Sequence, residues 1–433
     1  MELRNFILFA IIFTIAISTF AFGDDWSQWR GLNRNGIINE NSGWQKSWSP
    51  KMIWTKNVGI GCTTPIIVDK KIYVMGWHGE GDIMQNPVGT DTIYCFDAIT
   101  GKELWKQSYP CSYHSRLKAG DEGHYGGPSS TPTFDTKTKL LYTLSTDGDF
   151  RCWDTKQNGK LIWAKNLHDD YDIPQRPNVG GGLRDYGFIS SPLIFNDSII
   201  IEVGAKEGTV IAFDKMTGKQ LWASSCTEPA GHTSGPVIIN IKGIDCIANF
   251  ALRKLIVMRI DKGHEGQTIG EYDWKTDYGN NIPTPAIFEN KIILTSDLNI
   301  NKVTLLEVYP EEIKEKWTIK GGSQVSSPTI YKGNVYISDG NFRCLDLETG
   351  QLKWKGRNFD NGSCFATSDD KIIAFGKGNL VLIDAFPSDS KYQELGYIEG
   401  IVPGTCYPHV ILSDGIICCK DKDGNMVVFS LRE

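Results

Sequence analysis

The sequence lacks the signatures of several common functional classes. It contains no Cys-x-x-Cys pair, the usual spacing in structural zinc sites, and neither the His-Glu-x-x-His nor the Gly-x-Ser-x-Gly motif of common hydrolases. It also has no extended run of Lys and Arg: 45 basic residues face 51 acidic ones, for a net charge of −6. Because nucleic-acid binding needs a basic surface, we expect no nucleic-acid partner, and we identify no metal site.

Long apolar runs are missing too, except at the N-terminus. Residues 6–22 are apolar or small, follow Arg4, and end near Ala21 and Gly23, just before two aspartates. This pattern predicts a cleaved signal peptide over residues 1–23, and hence a secreted or periplasmic protein with no membrane span after cleavage. The alternative is a retained membrane anchor. No Cys stands at the cleavage point, so we do not expect a lipid anchor.

The cysteines number eleven, an odd count. In an exported protein this number suggests disulfides. A second interpretation applies to Cys95, Cys152 and Cys344, which each lie two residues before an Asp of the repeat described next. At such positions a free Cys serves as a small buried apolar residue.

A ten-residue pattern occurs three times. Residues 96–105 read FDAITGKELW, residues 213–222 read FDKMTGKQLW, and residues 345–354 read LDLETGQLKW. Extended backwards, residues 326–354 divide into four short strands joined by tight turns, which is the plan of one propeller blade. The sequence therefore predicts an all-β repeat fold.

The blade starts can be counted from strand-like runs. Seven follow a proline and one, near residues 365–375, lacks it. The prolines belong to Thr64-Pro65, Thr131-Pro132, Ser191-Pro192, Gly235-Pro236, Thr284-Pro285, Ser327-Pro328 and Tyr407-Pro408. The last blade stops one strand short, and residues 52–56, with Trp54, can supply that strand. We therefore predict an eight-bladed β-propeller of four-stranded antiparallel blades over residues 52–433, closed by an N-terminal strand and preceded by a lead-in over residues 24–51.

The repeated residues have a structural explanation. The Asp is expected to accept hydrogen bonds from the Thr-Gly turn, the Gly permits the turn, and the Trp packs against the neighbouring blade. On this basis, replacing Trp222 with alanine should cost about 3–5 kcal/mol. The residues assigned to blade docking are Asp97, Gly101, Trp105, Asp214, Gly218, Trp222, Asp346, Gly350, Trp354 and Trp54.

The pattern Asp-x-x-Thr-Gly-Lys-x-x-Trp at 97–105 and 214–222, with the lead-in WSQWRGLNRNGI, resembles the pyrroloquinoline-quinone-repeat propellers, in a secreted bacterial branch. The resemblance covers nearly all of residues 26–431. Two branches differ in function. Quinoprotein dehydrogenases bind the quinone and calcium on the propeller axis, whereas the outer-membrane assembly lipoprotein is a scaffold without a cofactor. The calcium-binding carboxylates and catalytic Asp of the dehydrogenases match no position here, so the resemblance does not establish a quinone–calcium cofactor.

Three long insertions depart from the repeat, at residues 76–92, 106–128 and 164–188. In an antiparallel blade they all emerge on one face, where loops held by a rigid scaffold often carry function. The histidines among the candidates are expected to border one depression off the axis. Alternatively, the loops only cap the propeller. The candidate ligand-binding residues are His78, His124, Tyr125, His168, Arg184, Tyr186, His232, Gln324 and Tyr407.

These observations favour a monomeric binding or scaffold protein that holds a protein or carbohydrate on the insertion-rich face. The alternative is an enzyme, either a quinone-dependent dehydrogenase or a carbohydrate-active enzyme that uses His and carboxylates on that face. No catalytic residue is identified from the sequence. We therefore expect binding rather than catalysis.

Overall fold

The computed structural model describes residues 24–80, 88–112, 126–175, 178–179, 182–183, 186–233 and 235–432. Eight antiparallel sheets follow one another along the chain. Their second and third strands are mostly apolar and buried, and clusters of buried side chains join neighbouring sheets. The fold is an eight-bladed β-propeller of four-stranded blades, which confirms the prediction.

The strands of each blade run outward from the axis in chain order. Blades 1 to 4 contain Ile66–Val68, Lys71–Glu80, Val88–Asp97 and Glu103–Pro110; Thr133–Asp135, Leu140–Leu144, Asp149–Asp154 and Lys160–Asn166; Leu193–Phe195, Ser198–Glu202, Val210–Asp214 and Gln220–Ala223; and Val237–Ile241, Ile244–Phe250, Lys254–Arg259 and Thr268–Asp273. Blades 5 to 8 contain Ala286–Phe288, Lys291–Ser296, Lys302–Tyr309 and Glu312–Lys320; Thr329–Tyr331, Asn334–Asp346 and Leu352–Asp360; Ser363–Ala366, Lys371–Gly376, Asn379–Asp384 and Glu394–Ile398; and Ile411–Ser413, Ile416–Lys420, Asn425–Ser430 and the outer strand Lys51–Asn57.

Blade 6 differs from the other blades in its hairpin. Its strand Asn334–Asp346 spans the second and third strand positions without a break: its first residues pair with the inner strand and residues 340–345 pair with the outer strand. Outside the blades lie a small hairpin, Asn178–Val179 with Gly182–Leu183, the short helix Leu167–Asp170 and the 3₁₀ turns Thr155–Gln157 and Asp277–Gly279.

The ring is closed by its own N-terminal part. Strand Lys51–Asn57 pairs antiparallel with Asn425–Ser430, placing Trp54 opposite Val428. The expected closure between residues 52–56 and the strand ending near Phe429 is therefore confirmed. Pairing the first strand with the last leaves the sheet of blade 8 complete, so no gap interrupts the ring.

Hydroxyl groups explain why Ser or Thr so often stands before the blade-starting proline. The backbone N–H of Thr64 donates to Oγ1 of Thr131 at 3.2 Å, and the N–H of Thr131 donates to Oγ of Ser191 at 3.0 Å. The N–H of Thr284 likewise donates to Oγ of Ser327 at 2.9 Å. These bonds connect the inner strands of consecutive blades around the axis, and they were not expected from the sequence.

The Asp of the repeat organises a turn. Oδ1 of Asp97 accepts hydrogen bonds from the backbone N–H and the hydroxyl of Thr100, both at 2.8 Å, and these bonds lower the pKa of its carboxyl group. Asp214 and Asp346 accept the same pair of bonds from Thr217 and Thr349. The three copies are therefore equivalent in structure as well as in sequence.

The Trp of one blade covers this turn in the next blade. The indole N–H of Trp54 donates to the carbonyl of Ala98 at 2.9 Å, that of Trp163 to Lys215 at 3.2 Å, and that of Trp317 to Leu347 at 3.0 Å. In each case the acceptor residue directly follows the turn Asp in the sequence. The indole rings of these residues and of Trp105 also lie against the turn glycines, which are Gly101, Gly159, Gly218 and Gly350.

Trp222 departs from this arrangement. Blade 4 lacks the Thr-Gly turn, and Trp222 remains half-buried beside its own blade partner Ala212. Trp274, the corresponding residue of blade 4, is buried, lies just beyond the outer strand and donates to Ser296 instead. The loss of about 3–5 kcal/mol expected for a buried aromatic therefore applies better to Trp105 than to Trp222.

The turn glycine should be hard to replace. Gly218 has φ of 68°, and a β-carbon there would lie 2.8 Å from Cδ2 of Trp163. We expect Gly218→Ala to lower the free energy of unfolding by about 2–3 kcal/mol, since the backbone strain adds to a steric clash. Gly333→Ala is the matched control because Gly333 has φ of 77° with no atom within 4 Å of such a carbon. Urea denaturation should show a loss of only about 1 kcal/mol there; equal losses would contradict the packing explanation.

All eleven cysteines lie within the described residues, and no disulfide joins any two of them there. Cys95, Cys152 and Cys344 are fully buried, and burial raises the pKa of each to about 12. Such thiols stay protonated and act as small apolar side chains. The second interpretation of the cysteine pattern therefore fits these three positions.

Candidate functional site

The propeller has two different faces. The hairpins between second and third strands and the links between blades emerge on one face, here called the hairpin face. The turns between first and second strands, such as those at Asp69 and Lys332, emerge on the other, here called the turn face. The first strand of every blade lines the axis and begins at the hairpin face.

The lead-in enters the axial channel from the turn face. Oδ1 of Asp25 accepts a hydrogen bond from the backbone N–H of Asp69 at 3.1 Å. Trp26 then pairs antiparallel with Ile67, through backbone bonds of 2.8 and 3.0 Å, and its side chain is completely buried. Since the first strand of blade 1 runs towards the turn face, this segment runs towards the hairpin face.

The chain then turns and leaves the channel on the side where it entered. The backbone N–H of Ile38 donates to the carbonyl of Ala366, at the end of the first strand of blade 7, at 3.0 Å. Beyond it, Glu40 accepts from Ser368, and Ser42 bonds to the carboxylate of Asp369 on the turn face. Residues 25–38 thus form a looped segment inside the channel, here called the axial plug.

Two arginines flank the tip of the axial plug. Nη1 and Nη2 of Arg34 donate to the carbonyls of Pro192 and Ser191 at 2.8 and 3.0 Å, while Nη2 of Arg30 donates to the carbonyl of Pro328. These acceptors stand where the first strands of blades 3 and 6 begin. Leu32, between the arginines, is 51% exposed, so the tip reaches the hairpin face.

The candidate histidines occupy different surroundings. His78 is exposed in the long hairpin of blade 1, and its Nε2 lies 2.7 Å from the hydroxyl of Tyr94 in the same blade. Desolvation lowers the pKa of His78. His168 is only 4% exposed in the link between blades 2 and 3, where its ring packs against the edge of Phe188 and its Nδ1 lies 3.0 Å from the carbonyl of Ile173.

Tyr186 and His232 lie together, at the junction of blades 3 and 4. Their ring centroids are 4.7 Å apart, and the backbone N–H of Tyr186 lies 3.3 Å from Nε2 of His232. Nδ1 of His232 lies 2.8 Å from Oδ1 of Asn280. His232 is 2% exposed, so both of its nitrogens contact protein groups. His124, Tyr125 and Arg184 lie outside the described residues, and a common binding role for these candidates stays a prediction.

Gln324 lines an open cleft on the hairpin face, formed by blades 5 and 6 and by the links that follow them. The cleft has a volume of about 350 Å³ and an almost wholly polar lining. Tyr407, at the start of blade 8, is half-buried and does not line this cleft. The side chains that give the cleft its character are those of Asp297, Asn301, Gln324, Asp339, Asp360 and Asn361.

The three carboxylates of the cleft differ in their partners. Asp339 forms an ion pair with Arg343 at 2.9 Å, and burial raises the pKa of its carboxyl group even so. Asp360 lies 3.3 Å from the ammonium group of Lys377. The carboxylate of Asp297, on the other hand, makes no hydrogen bond or ion pair within the described part of the chain. It is therefore available to a cationic or hydroxyl group of a ligand.

Neither metal-binding clusters nor membrane-spanning helices occur in the described residues. No group of three or more His, Cys, Asp or Glu residues there could hold a metal ion. Within the same residues, no helix is long and apolar enough to cross a membrane.

Comparisons with known proteins agree with this fold. BamB from Moraxella catarrhalis superposes with a TM-score of 0.56 at 11% identity, over 88% of this chain and 100% of that chain. The C-terminal WD40 domain of Sif2 gives 0.54 at 11% identity, over 89% and 99%. A europium-containing methanol dehydrogenase gives 0.47 at 14% identity, over 83% and 89%. A search of curated protein sequences gives no match.

At 11% identity, the superpositions with BamB and with the Sif2 domain show the fold alone. The family assignment comes instead from a match to a sequence-family model. The model describes a family of quinone-repeat propellers, named outer membrane protein assembly factor BamB, and it matches residues 89–356. Because that match covers more than half of the 433-residue chain, the protein belongs to this family.

Proposed function

We propose that this protein is an exported binding scaffold that holds a partner on its hairpin face and performs no cofactor chemistry on its axis. The observation that carries the proposal is the axial plug. Residues 25–38 occupy the channel with their own backbone and side chains and bond to the first strands of several blades. Because the axis is occupied, the partner is expected to bind on the exposed hairpin face.

The charge of the axial plug supports binding over quinone-dependent dehydrogenation. The dehydrogenases that this chain resembles hold a quinone and calcium on the axis. Calcium needs oxygen ligands, mostly carboxylates, whereas this axis carries the buried guanidinium groups of Arg30 and Arg34. A divalent cation beside two fixed positive charges would be strongly disfavoured.

The hairpin face offers the features of a recognition surface. The cleft at blades 5 and 6 combines the carboxylate of Asp297 with the amides of Asn301, Gln324 and Asn361. Acidic and amide groups suit lysine, arginine or hydroxyl groups of a partner. Since the family is described as an assembly factor, we favour a protein partner, and a carbohydrate is the second candidate.

Export is part of the same proposal. The apolar residues 6–22 and the small residues before Asp24 support removal of residues 1–23 as a signal peptide. A mature chain beginning at Asp24 would retain the whole axial plug. The exported protein would therefore keep all eight blades and the axial plug.

Site-specific crosslinking tests the proposal. A photo-reactive amino acid at Gln324, in the cleft, should give one dominant crosslinked partner in intact cells. The same residue at Lys242, exposed in a turn of blade 4 on the turn face, is the control and should give at most a tenth of that product. Adding Asp297→Asn to the protein that carries the photo-reactive amino acid at position 324 should weaken the crosslink several-fold, because the substitution removes the free carboxylate.

Three outcomes would contradict the proposal. Equal crosslinking from both faces would remove the hairpin face as the partner surface. Stoichiometric binding of pyrroloquinoline quinone with calcium, together with reduction of an electron-accepting dye, would establish the dehydrogenase alternative. Hydrolysis of a glycan by the purified mature protein, abolished by Asp297→Asn, would establish the carbohydrate-active alternative.

A further inference from the structure

Arg30 and Arg34 are fully buried on the propeller axis, and their hydrogen-bonding capacity is only partly used. Nη2 of Arg30 donates to Pro328 and, at 3.2 Å, to the hydroxyl of Thr329. Both Nη atoms of Arg34 donate to carbonyls of blade 3. Nε and Nη1 of Arg30 and Nε of Arg34, however, are buried and have no hydrogen-bond partner among the described residues.

The charges of these two side chains are unbalanced. No carboxylate in the described part of the chain lies within ion-pair distance of either guanidinium group. Burial lowers the pKa of Arg30 to about 10, and burial together with the charge of Arg30 lowers that of Arg34 to about 9. Both groups therefore remain charged at neutral pH, and burying two like charges without a counter-ion is strongly unfavourable.

The neighbouring side chains do not supply negative charge either. His409 lies near Arg30, packs edge-on to Trp29 with ring centroids 4.6 Å apart, and is held neutral because burial lowers its pKa far below the usual value. At the starts of blades 2 and 3, the hydroxyls of Ser130 and Ser190 are buried and have no hydrogen-bond partner within the described residues. Neutral hydroxyl and imidazole groups such as these cannot neutralise two cations.

The backbone of the axial plug is left-handed at both arginines. Arg30 and Arg34 have φ of 60° and 54°, in the left-handed region that costs a residue with a side chain about 1 kcal/mol or more. Gly36 follows with φ of 70°, and a β-carbon there would lie 2.7 Å from Oγ1 of Thr329. The same left-handed conformation occurs in tight turns of the blades, for example at Asp69 and Lys332, so here it shows that the axial plug turns tightly.

We propose that a small inorganic oxyanion of the phosphate or sulfate class binds on the axis, at the unpartnered N–H groups of Arg30 and Arg34. Guanidinium groups recognise oxyanions through paired N–H donors, and a tetrahedral oxyanion accepts several hydrogen bonds at once. Water could accept the same hydrogen bonds but would leave both charges uncompensated. The bound anion would fasten the axial plug to the first strands of blades 3 and 6.

Anion content and anion-dependent stability test this site. The mature protein, dialysed against chloride buffer and then denatured, should release close to one equivalent of phosphate or sulfate, measured by ion chromatography. If the anion exchanges instead, adding phosphate or sulfate at constant ionic strength should raise Tm. The expected rise is roughly 2 °C for each tenfold increase in concentration above the dissociation constant.

Matched variants identify the groups responsible. Arg34→Met and Arg30→Met should abolish both the retained anion and the dependence of Tm on phosphate, whereas Lys46→Met, at an exposed position of the same lead-in, should change neither. An unchanged anion response in a folded arginine variant would overturn the proposal. The proposal would also be overturned if the wild-type protein released less than 0.1 equivalent of oxyanion and its Tm did not depend on phosphate or sulfate. This second test does not require any variant to fold.

Discussion

Replacing Trp105 with alanine is expected to lower the free energy of unfolding by about 3–5 kcal/mol, the range for a buried aromatic residue. Trp105 is 9% exposed. Its ring lies 5.9 Å from that of Tyr73 and against the turn glycine Gly159 of blade 2, so its removal would open a cavity between two blades. Urea denaturation of the mature protein, followed by circular dichroism, measures the loss.

Trp222→Ala is the internal comparison. Trp222 occupies the same position of the repeat, but it is half-buried and no turn glycine of blade 4 lies under its ring. Its replacement should cost about 1–2 kcal/mol, because much of its surface already faces water. Equal losses for the two variants would show that the glycine turn contributes nothing to blade docking.

The blade count was predictable because its signals are local. Strand alternation, tight turns and the Thr-Gly pattern each involve residues within about ten positions of one another. Strand alternation and tight turns recur in every blade, and the Thr-Gly pattern recurs in three of them. Even the closing strand with Trp54 could be identified, because the last blade was visibly one strand short. The different surroundings of Trp222 could not, since they depend on which turn the next blade happens to carry.

The axial plug was beyond the reach of local patterns. Arg30 and Arg34 look like ordinary surface arginines in a polar lead-in, yet Arg30 bonds to Thr329 and Arg34 to Pro192. Only the closed ring brings these residues together. A clue was present nonetheless: two arginines four residues apart, each followed within two residues by a glycine, form no part of the repeat.

The surroundings of the candidate histidines could not be predicted from the sequence either. Chemistry and topology placed them on one face, but nothing in the sequence tells whether an imidazole faces solvent or the protein interior. His168 and His232 bond to neighbouring protein groups at 3.0 and 2.8 Å inside the links between blades, whereas Gln324 lines an open cleft. The cleft itself depends on residues from two blades and the links that follow them, so single positions in the sequence could not reveal it.

Asp91 provides the last expectation. It is fully buried between blades 1 and 2, with the hydroxyl of Tyr109 3.4 Å from its Oδ2. Burial raises the pKa of its carboxyl group to about 7, since desolvation and the nearby charges of Asp147 and Asp149 outweigh the donors Ser145 and Cys111. In the unfolded chain the same carboxyl titrates near 4. The folded state therefore binds one more proton than the unfolded state between these two pH values.

It follows that Asp91 contributes its full share to the free energy of unfolding below about pH 4. This contribution falls as the pH rises towards 7 and is constant at higher pH. The total change is up to about 4 kcal/mol. Asp91→Asn should remove this dependence, so the difference in unfolding free energy between wild type and variant should change between pH 4 and 7 and stay level from about pH 8. Asp97→Asn is the control: hydrogen bonds from Thr100 lower the pKa of Asp97, so its contribution is lost only as the pH falls below about 4. A wild-type curve that runs parallel to that of Asp91→Asn from pH 4 to 8 would mean that Asp91 is ionised in the folded protein throughout this range.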